Sequence, residues 1–530
     1  MPILNWIGKE AVVNHDKEVP FRLLKKVKSL SYGENSQNLI IHGDNLEALK
    51  ALMPYYQGQV KCIYIDPPYN TGNEGWVYND KVNSPKIKKW LGKVVGSESE
   101  DLCRHDKWLC MMYPRLKLLR DLLSDDGVIF VSIDDNEYSN LKSILDEIFG
   151  EDNIIGTIVW KKKYTGGRHS RFFVDLHEYI LVYSKYKKLV GELLVERPEN
   201  EKAKFELEDE FVKERGKFYI RPLKSNLELR PTLIYPIKCP DNSELKTQWL
   251  VSEPTFNRLK TEKRILFKKK RDGKYQVYMK YYEKDRGGKV KVPSIIDFTS
   301  NNDAKVELKE LFGIEEGRDN VFYTVKPTKL INFLINFSTN EEDIILDSFA
   351  GSGTTGHAIM QLNKLGSNRK FILIQLDEQL KEPIKLKDST ILKEVIDITR
   401  ERIKRAIKRF EYKDGFEYCE LDKPLFNQEG QIEQECTFEQ LATYIYFTET
   451  NTNIDKKAIS GNFIGGYDEN EYYLIFKEKG KNVLSKEFLK KLQKDSKRKV
   501  IYADKCLIDE RTLEKHKIQF KQIPYEVKVY

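Results

Sequence analysis

The chain has 530 residues, 40% of them hydrophobic and 12% aromatic, and a net charge of +8 from 90 Lys and Arg against 82 Asp and Glu. That excludes a disordered chain and leaves room for about three domains, while no apolar run approaches the ~18 residues of a membrane span. Seven scattered cysteines (Cys62, Cys103, Cys110, Cys239, Cys419, Cys436, Cys506) without a Cys-x-x-Cys pair argue against structural zinc or a disulfide framework and fit a reducing cytoplasm.

Residues 1–36 are a mixed prelude; Met1 to Lys17 gains charge early, without the cleavage site of a signal peptide. Asn38 to Asp44 reads as a short strand closing on a turn, and Leu46, Leu49 and Leu52 follow at helical spacing. Asp44 can simply cap that helix. Val60 to Ile65 reads as a buried strand, stopped by Pro67 and Pro68, which cannot continue a sheet ladder. Asp66 and Tyr69 are therefore displayed past the carboxyl end of a strand, where open α/β sheets bind ligands. A carboxylate, the Pro67 carbonyl on a stiff turn and an aromatic face suit a planar nitrogenous base. Asp66 and Pro67 can each accept from an exocyclic amine, and Tyr69 can stack. The bland alternative is a tight Pro-Pro turn whose Asp caps a helix.

Gly72 to Asp101, with Trp76, Tyr78 and Trp90, reads as a basic surface loop able to close over an extruded base. Trp108 to Leu123 has helical spacing, and Asp125-Asp126-Gly127 is expected to stop it. Strands are expected at Gly127–Ile133, Ile154–Trp160 and Glu178–Tyr183, with a helix capped by Asp134 to Glu137 and ended at Gly150. Lys161, Lys162, Lys163 and Arg168 lie on a Gly-containing loop suited to phosphates. This alternation indicates a mostly parallel sheet covered on both faces.

From 188 to 302 the rhythm is lost, which marks an inserted domain. Lys260 to Lys291 holds thirteen Lys and Arg against four acids, so this segment carries the whole positive excess. Lys268, Lys269, Lys270 and Arg271 lie within it, and Tyr275, Tyr278, Tyr281 and Tyr282 interleave with the bases. Cations mixed with aromatics are the footprint of a nucleic-acid surface rather than of an ordinary solvated loop.

The α/β pattern resumes in 303–410. Lys326-Pro327-Thr328 opens a helix, with Pro in a favourable first-turn position. Asp343 to Asp347 is a strand running into Ser348-Phe349-Ala350-Gly351-Ser352-Gly353-Thr354-Thr355-Gly356, followed by a helix from His357. Gly351 and Gly353 allow a tight turn and close approach to a ligand, although the spacing matches neither a phosphate loop nor the dinucleotide fingerprint. Lys370 to Asp377 is the next strand, and an acid at its end is placed for ribose hydroxyls. Gln375 or Asp377 can fill that role. Residues 411–530 read as a small α/β accessory domain. Asp272-Gly273-Lys274 lacks the upstream acid of a nuclease, and there is no helicase loop.

Asp66-Pro67-Pro68-Tyr69 with Asn70-Thr71-Gly72, and Asp347-x-Phe349-Ala350-Gly351-Ser352-Gly353-Thr354-Thr355, resemble the motifs of β-class DNA amino-methyltransferases. The Asp in first place, Ser132-Ile133-Asp134-Asp135 and His177-Glu178-Tyr179 resemble the adenine-N6 enzymes, especially modification subunits of type III restriction systems and their solitary relatives. The resemblance implies a Rossmann-like S-adenosylmethionine-dependent methyltransferase fold in circularly permuted order. It assigns 1–187 as the catalytic half, 188–302 as an inserted target-recognition domain and 303–410 as the cofactor half. Asp66, Pro67, Pro68 and Tyr69 would be catalytic. Asp347, Phe349, Ala350, Gly351, Gly353, Thr354 and Thr355 would hold S-adenosylmethionine, bordered by Lys326 and Pro327, with Asp44 near its adenine and Gln375 or Asp377 at its ribose. Where the commonest family pattern has Glu, this chain has Gln375. Double-stranded DNA, a homodimer, a separate restriction subunit, no metal and a prokaryotic, nucleoid-associated location follow from the same likeness. The rivals are cytosine-N4, RNA adenine or protein glutamine methylation, and a non-catalytic DNA-binding subunit; Asp66 and the basic insert favour DNA adenine.

Overall fold

Val60–Ile65 is buried at every position except Lys61, as a strand covered on both faces must be, and the sheet is built outward from it. The computed structural model describes residues 3–33, 36–71, 104–166, 172–198, 202–315, 320–425, 432, 436–477, 481–492 and 497–523. Its main sheet has ten strands: β1 Arg22–Lys26, β2 Leu39–His42, β3 Val60–Ile65, β4 Leu123–Ile133, β5 Ile154–Trp160, β6 Glu178–Ser184, β7 Ile295–Ile296, β8 Ile344–Asp347, β9 Lys370–Gln375 and β10 Glu417–Pro424. They lie in the order β1-β10-β2-β9-β8-β3-β4-β6-β5-β7. All neighbours from β10 to β4 are parallel, as are β5 and β7. The pairs β1–β10, β4–β6 and β6–β5 are antiparallel. This is an α/β fold with a mostly parallel sheet.

Alternation along the strands divides the core in two. Cys62, Tyr64, Val128 and Phe130 pack with Leu330, Leu334, Ile359 and Ile403 from the helices Thr328–Ser338, Thr354–Lys364 and Val395–Phe410. Ile63, Ile65, Ile129 and Val131 pack instead with Leu49, Leu116 and Leu145 from the helices Asn45–Tyr56, Arg104–Leu122 and Tyr138–Phe149. Topology then does what sequence distance obscures. Because β3 and β8 are parallel neighbours, with Leu346 opposite Ile63, their carboxyl ends fall side by side. The proline turn after β3 and the glycine turn after β8 therefore share one edge of the sheet.

Several boundaries differ from the sequence reading. Asp125-Asp126-Gly127 does not interrupt the chain between helix and strand: β4 begins at Leu123. A register irregularity between the pairs Val60↔Leu123 and Cys62↔Val128 absorbs these residues. The helix after the glycine turn begins at Thr354 rather than His357. Pro327 is the N-cap of the helix Thr328–Ser338, one position before the first turn. β10, within the stretch expected as an accessory domain, is a strand of the main sheet. After it, Phe463–Tyr467, Asn470–Leu474, Arg498–Ala503 and Ile518–Gln522 form a separate four-stranded sheet with its own apolar cluster around Tyr444, Ile445, Tyr472 and Val500. The chain divides into two compact units, one of residues 1–191 with 293–530 and one of 192–292. The second lies inside the insert expected at 188–302.

One buried arginine ties helices to the glycine turn. Arg402 is fully buried and donates to Ser352 Oγ at 2.9 Å, Thr354 Oγ1 at 2.7 Å and Glu307 Oε1 at 2.8 Å. Burial alone would raise the Glu307 carboxyl, but His357 and Arg402 outweigh it and hold it at about 2. Removing one member of such a pair leaves the other charge uncompensated, which costs ~3–5 kcal/mol. Urea unfolding of Arg402→Ala should show a loss of that size; a loss below ~1 kcal/mol would mean the pair does not hold these elements together.

Candidate active site

The turn after β3 is rigid because its atoms are spoken for. The indole of buried Trp108 donates to the Pro68 carbonyl at 2.7 Å. Asn70 takes a left-handed backbone (φ +57°), and its amide donates to Glu137 Oε1 at 2.5 Å and to the Arg104 carbonyl at 3.1 Å. Asn tolerates that conformation better than most residues. Asp66 and Tyr69 are thereby fixed, with the Tyr69 hydroxyl donating to Asp66 Oδ1 at 2.7 Å.

Lys326 occupies the centre of the site. Its Nζ lies 2.9 Å from each Asp66 oxygen, 2.9 Å from the Tyr69 hydroxyl and 3.2 Å from Glu178 Oε2. Tyr69 also donates to Glu178 at 3.2 Å. The side chains of Lys326 and Glu178 are each 8% exposed and that of Asp66 21%. Withdrawal from water pushes the Asp66 carboxyl above its usual range and Glu178 adds to the rise, while Lys326 opposes it. For Lys326 the balance runs the other way. Burial pulls the ammonium down, but Asp66 and Glu178 outweigh it, so it stays protonated.

The glycine turn forms the facing wall. Gly351 and Gly353 have φ of +53° and +79°. A Cβ at Gly353 would meet the Thr399 carbonyl oxygen at 3.1 Å, so a side chain there would be both strained in backbone and crowded. The turn is braced from behind: Gln375 Oε1 accepts from the Gly351 N–H at 2.8 Å, and the Thr399 hydroxyl donates to the Gly351 carbonyl at 2.5 Å. Asp347, 3% exposed, accepts from the Thr355 hydroxyl at 2.5 Å and the Phe349 N–H at 3.0 Å. Burial nevertheless pushes its carboxyl up to about 7. The Thr354 hydroxyl donates to the Lys326 carbonyl at 3.2 Å, joining this wall to the lysine segment.

A single cavity lies between the two turns. Asp66, Lys326, Asp347, Phe349, Ala350, Gly351, Thr354 and Thr355 all line it. Sequence reasoning missed Phe322, Thr324, Tyr64 and Ser352 as further wall residues. It also missed Glu178 as a partner of Tyr69 and Lys326; His177-Glu178-Tyr179 was the available signal. The cavity pairs two carboxylates and one ammonium with the aromatic rings of Tyr64, Phe322 and Phe349 and with a bare backbone turn. Such walls accept a planar, positively charged ligand lying close to the main chain.

Other expected site residues fall elsewhere. Gln375 is 4% exposed, and its amide is spent on Gly351 and on the Leu376 carbonyl, so it braces the turn instead of offering itself to a ribose. Asp44 caps the helix Asn45–Tyr56, accepting from the N–H groups of Leu46 at 2.8 Å and Glu47 at 3.3 Å, and pairs with Arg115 at 3.2 Å. Lys162 is buried against Asp175 at 2.8 Å and Glu178 at 3.5 Å, which removes it from the phosphate-contacting set. Lys163 is exposed, and Lys161 stands over the Tyr164 ring. Arg168 and the loop with Trp76, Tyr78 and Trp90 lie outside the described residues. In the second unit Lys268, Lys269, Lys270 and Arg271 are exposed at the end of the hairpin Ile265–Lys269 and Tyr275–Tyr282. Among the described residues no cluster of His, Cys, Asp and Glu could hold a metal ion, and no helix is long and apolar enough to cross a membrane.

A family model described as DNA methylase, for N6 and N4 methyltransferases, matches residues 60–386. The modification subunit of the type III restriction-modification enzyme StyLTI of Salmonella typhimurium is 37% identical over 397 residues, 71% of this chain and 58% of that subunit. The EcoP15I modification subunit of Escherichia coli is 36% identical over 459 residues, 77% of this chain and 69% of that one. The type II methyltransferase M.KpnI of Klebsiella pneumoniae is 32% identical over 424 residues, 75% of this chain and 94% of that enzyme. The chain thus spans little more than half the length of the Salmonella subunit.

Asp347 gives this site a pH signature. Its folded carboxyl titrates at about 7, against ~3.9 for an unfolded aspartate. The raised value favours the folded state below ~3.9, and that contribution is lost as pH rises through about 7. The melting temperature of Asp347→Asn minus that of the wild type should therefore increase across this window and level off above it. A difference that stays constant from acid to neutral pH would refute the assignment.

Proposed function

The chain belongs to the DNA methylase family of the N6/N4 type, and we propose that it transfers the methyl group of S-adenosylmethionine to N6 of an adenine swung out of duplex DNA, as the modification component of a restriction-modification system. The observation that carries this reading is the shared cavity: Asp66 of the proline turn and Gly351 of the glycine turn line the same space.

The residues present fit the cofactor. Gly351 and Gly353 take left-handed backbone conformations that side chains rarely adopt, which leaves the turn bare at those two positions, and Asp347 and Asp66 offer negative charge to a cationic ligand between Phe322 and Phe349. When bound, S-adenosylmethionine supplies a methyl group already activated on a sulfonium. Asp347, Phe349, Ala350, Gly351, Gly353, Thr354 and Thr355 would hold it. Asp377, two residues past the end of β9, would accept from its ribose hydroxyls.

The chain's own contribution concerns the amine. The N6 lone pair is delocalised into the ring, so the nitrogen is a poor nucleophile. Hydrogen bonds from N6–H to Asp66 and the Pro67 carbonyl localise it and stabilise the positive charge that develops, a use of preorganised acceptors. In the absence of a base Lys326 holds both Asp66 oxygens. The incoming amine takes one of these positions, and Glu178, 3.2 Å from the same ammonium, keeps Lys326 from being left unpaired. Asp66, its carboxyl raised by burial, is then placed to take the proton N6 releases. A base stacking on Tyr69, whose hydroxyl is pinned, would gain ~1–3 kcal/mol against the few kcal/mol of extruding it.

The exposed cations of the 192–292 unit support a DNA-reading role for it, and relatives named as type III modification subunits support a separate restriction subunit as partner. A homodimer is part of the same proposal.

Asp66→Ala should lower methyl transfer on the order of 10²–10³-fold while calorimetry shows the affinity for S-adenosylmethionine retained. Equal loss of both would remove Asp66 from the chemistry. Nucleosides from DNA treated with the wild-type protein should contain N6-methyladenine; N4-methylcytosine alone would overturn the choice of base.

A further inference from the structure

The 192–292 unit has a cavity of its own. Phe218–Pro222, Tyr275–Tyr282 and Ile265–Lys269 form a three-stranded antiparallel sheet. On one of its faces Leu223 and Val277 join Tyr235, Ile237, Trp249 and Phe256 in the core of the unit. Four residues further along, Tyr219 and Tyr281 share that face, and among the described residues this end is not filled. The two tyrosines are cross-strand partners with rings 5.3 Å apart and only 11° from parallel. They are half-buried and line a cavity.

Cations surround this stacked pair. The exposed Arg221 guanidinium lies 5.4 Å and 5.9 Å from the Tyr219 and Tyr281 ring centres. Arg197 lies 4.3 Å over Phe205, which meets Tyr219 edge-on at 5.1 Å. The Arg197 Nε is buried and has no hydrogen-bond partner among the described residues. Among the described residues the acid lining the cavity is Asp285, which is held through both oxygens by Arg264 at 2.9 Å and 3.0 Å. An aromatic pair that served only as core would be closed over by apolar side chains. This one is left facing a space rimmed with guanidinium donors.

Resting on the reading that the protein handles DNA, we propose that this cavity takes one unstacked nucleotide of a DNA strand. Its base lies against the Tyr219–Tyr281 pair, and its phosphate is held by Arg221 and Arg197. Stacking of a base on an aromatic face tolerates any sequence, so the site would anchor a locally opened strand rather than read it.

The full chain is titrated with a fluorescent single-stranded oligodeoxynucleotide, with the matched duplex and with an RNA of the same sequence, at several salt concentrations. Tyr281→Leu should weaken single-strand binding about 10-fold, while Tyr281→Phe, which keeps the ring, retains wild-type affinity. Arg221→Gln should reduce the salt slope for the single strand by about 0.7, one phosphate contact. Wild-type affinity in Tyr281→Leu, an equal loss for duplex and single strand, or tighter binding of the RNA overturns the proposal. If those results appear while the wild type still forms N6-methyladenine, only the pocket fails. If no methylated base forms but Tyr281→Leu loses single-strand affinity and Tyr281→Phe keeps it, the pocket stands and the methyltransferase reading fails.

Discussion

One ammonium group holds the active site together. Lys326 reaches Asp66 on the proline turn through its side chain and Thr354 on the glycine turn through its carbonyl oxygen. An ammonium at this depth would be strongly disfavoured alone. It is tolerated because two carboxylates, a phenol and the faces of Tyr69 and Trp160 surround it. With Lys162 and its other partner Asp175 included, the linked cluster holds three carboxylates and two ammonium groups among the described residues, so a further positive charge is welcome. A sulfonium, or an amine gaining positive charge during alkylation, answers that demand.

Around this centre the side chains divide by task. Gln375, Thr399 and Arg402 never reach the cavity; they hold the glycine turn from behind through its amides, carbonyls and hydroxyls. Trp108 and Glu137 do the same for the proline turn. Backbone that must bend sharply and stay open to a ligand cannot be supported from the ligand's side. Its hydrogen bonds therefore come from the neighbouring strand and helices, and the residues that supply them are buried.

This division explains where sequence reading succeeded and failed. Gln375 stands at a strand end, a position that reads as a ribose ligand. Nothing in one dimension shows that its amide turns back to Gly351. Lys162 sits in a run of three lysines and reads as a phosphate contact, yet Asp175 and Glu178 draw it inward. Glu178 was visible only as part of a short familiar string. Its role depends on β6 running antiparallel to β4, the neighbour of β3, a pairing that no local pattern encodes.

The sequence by itself determined the local shapes: a buried strand stopped by prolines, a strand bent by glycines, helices with apolar stripes and a basic, tyrosine-rich insert. Those follow from backbone chemistry and side-chain periodicity, which act over a few residues. Only the tertiary structure decided that turns about 280 residues apart in the chain face each other, because that depends on which strands become parallel neighbours. It alone decided which charges are shared, since the ionisation of Asp66, Lys326 and Asp347 is set by burial and by partners within a few ångströms, distances that exist only once the sheet has assembled.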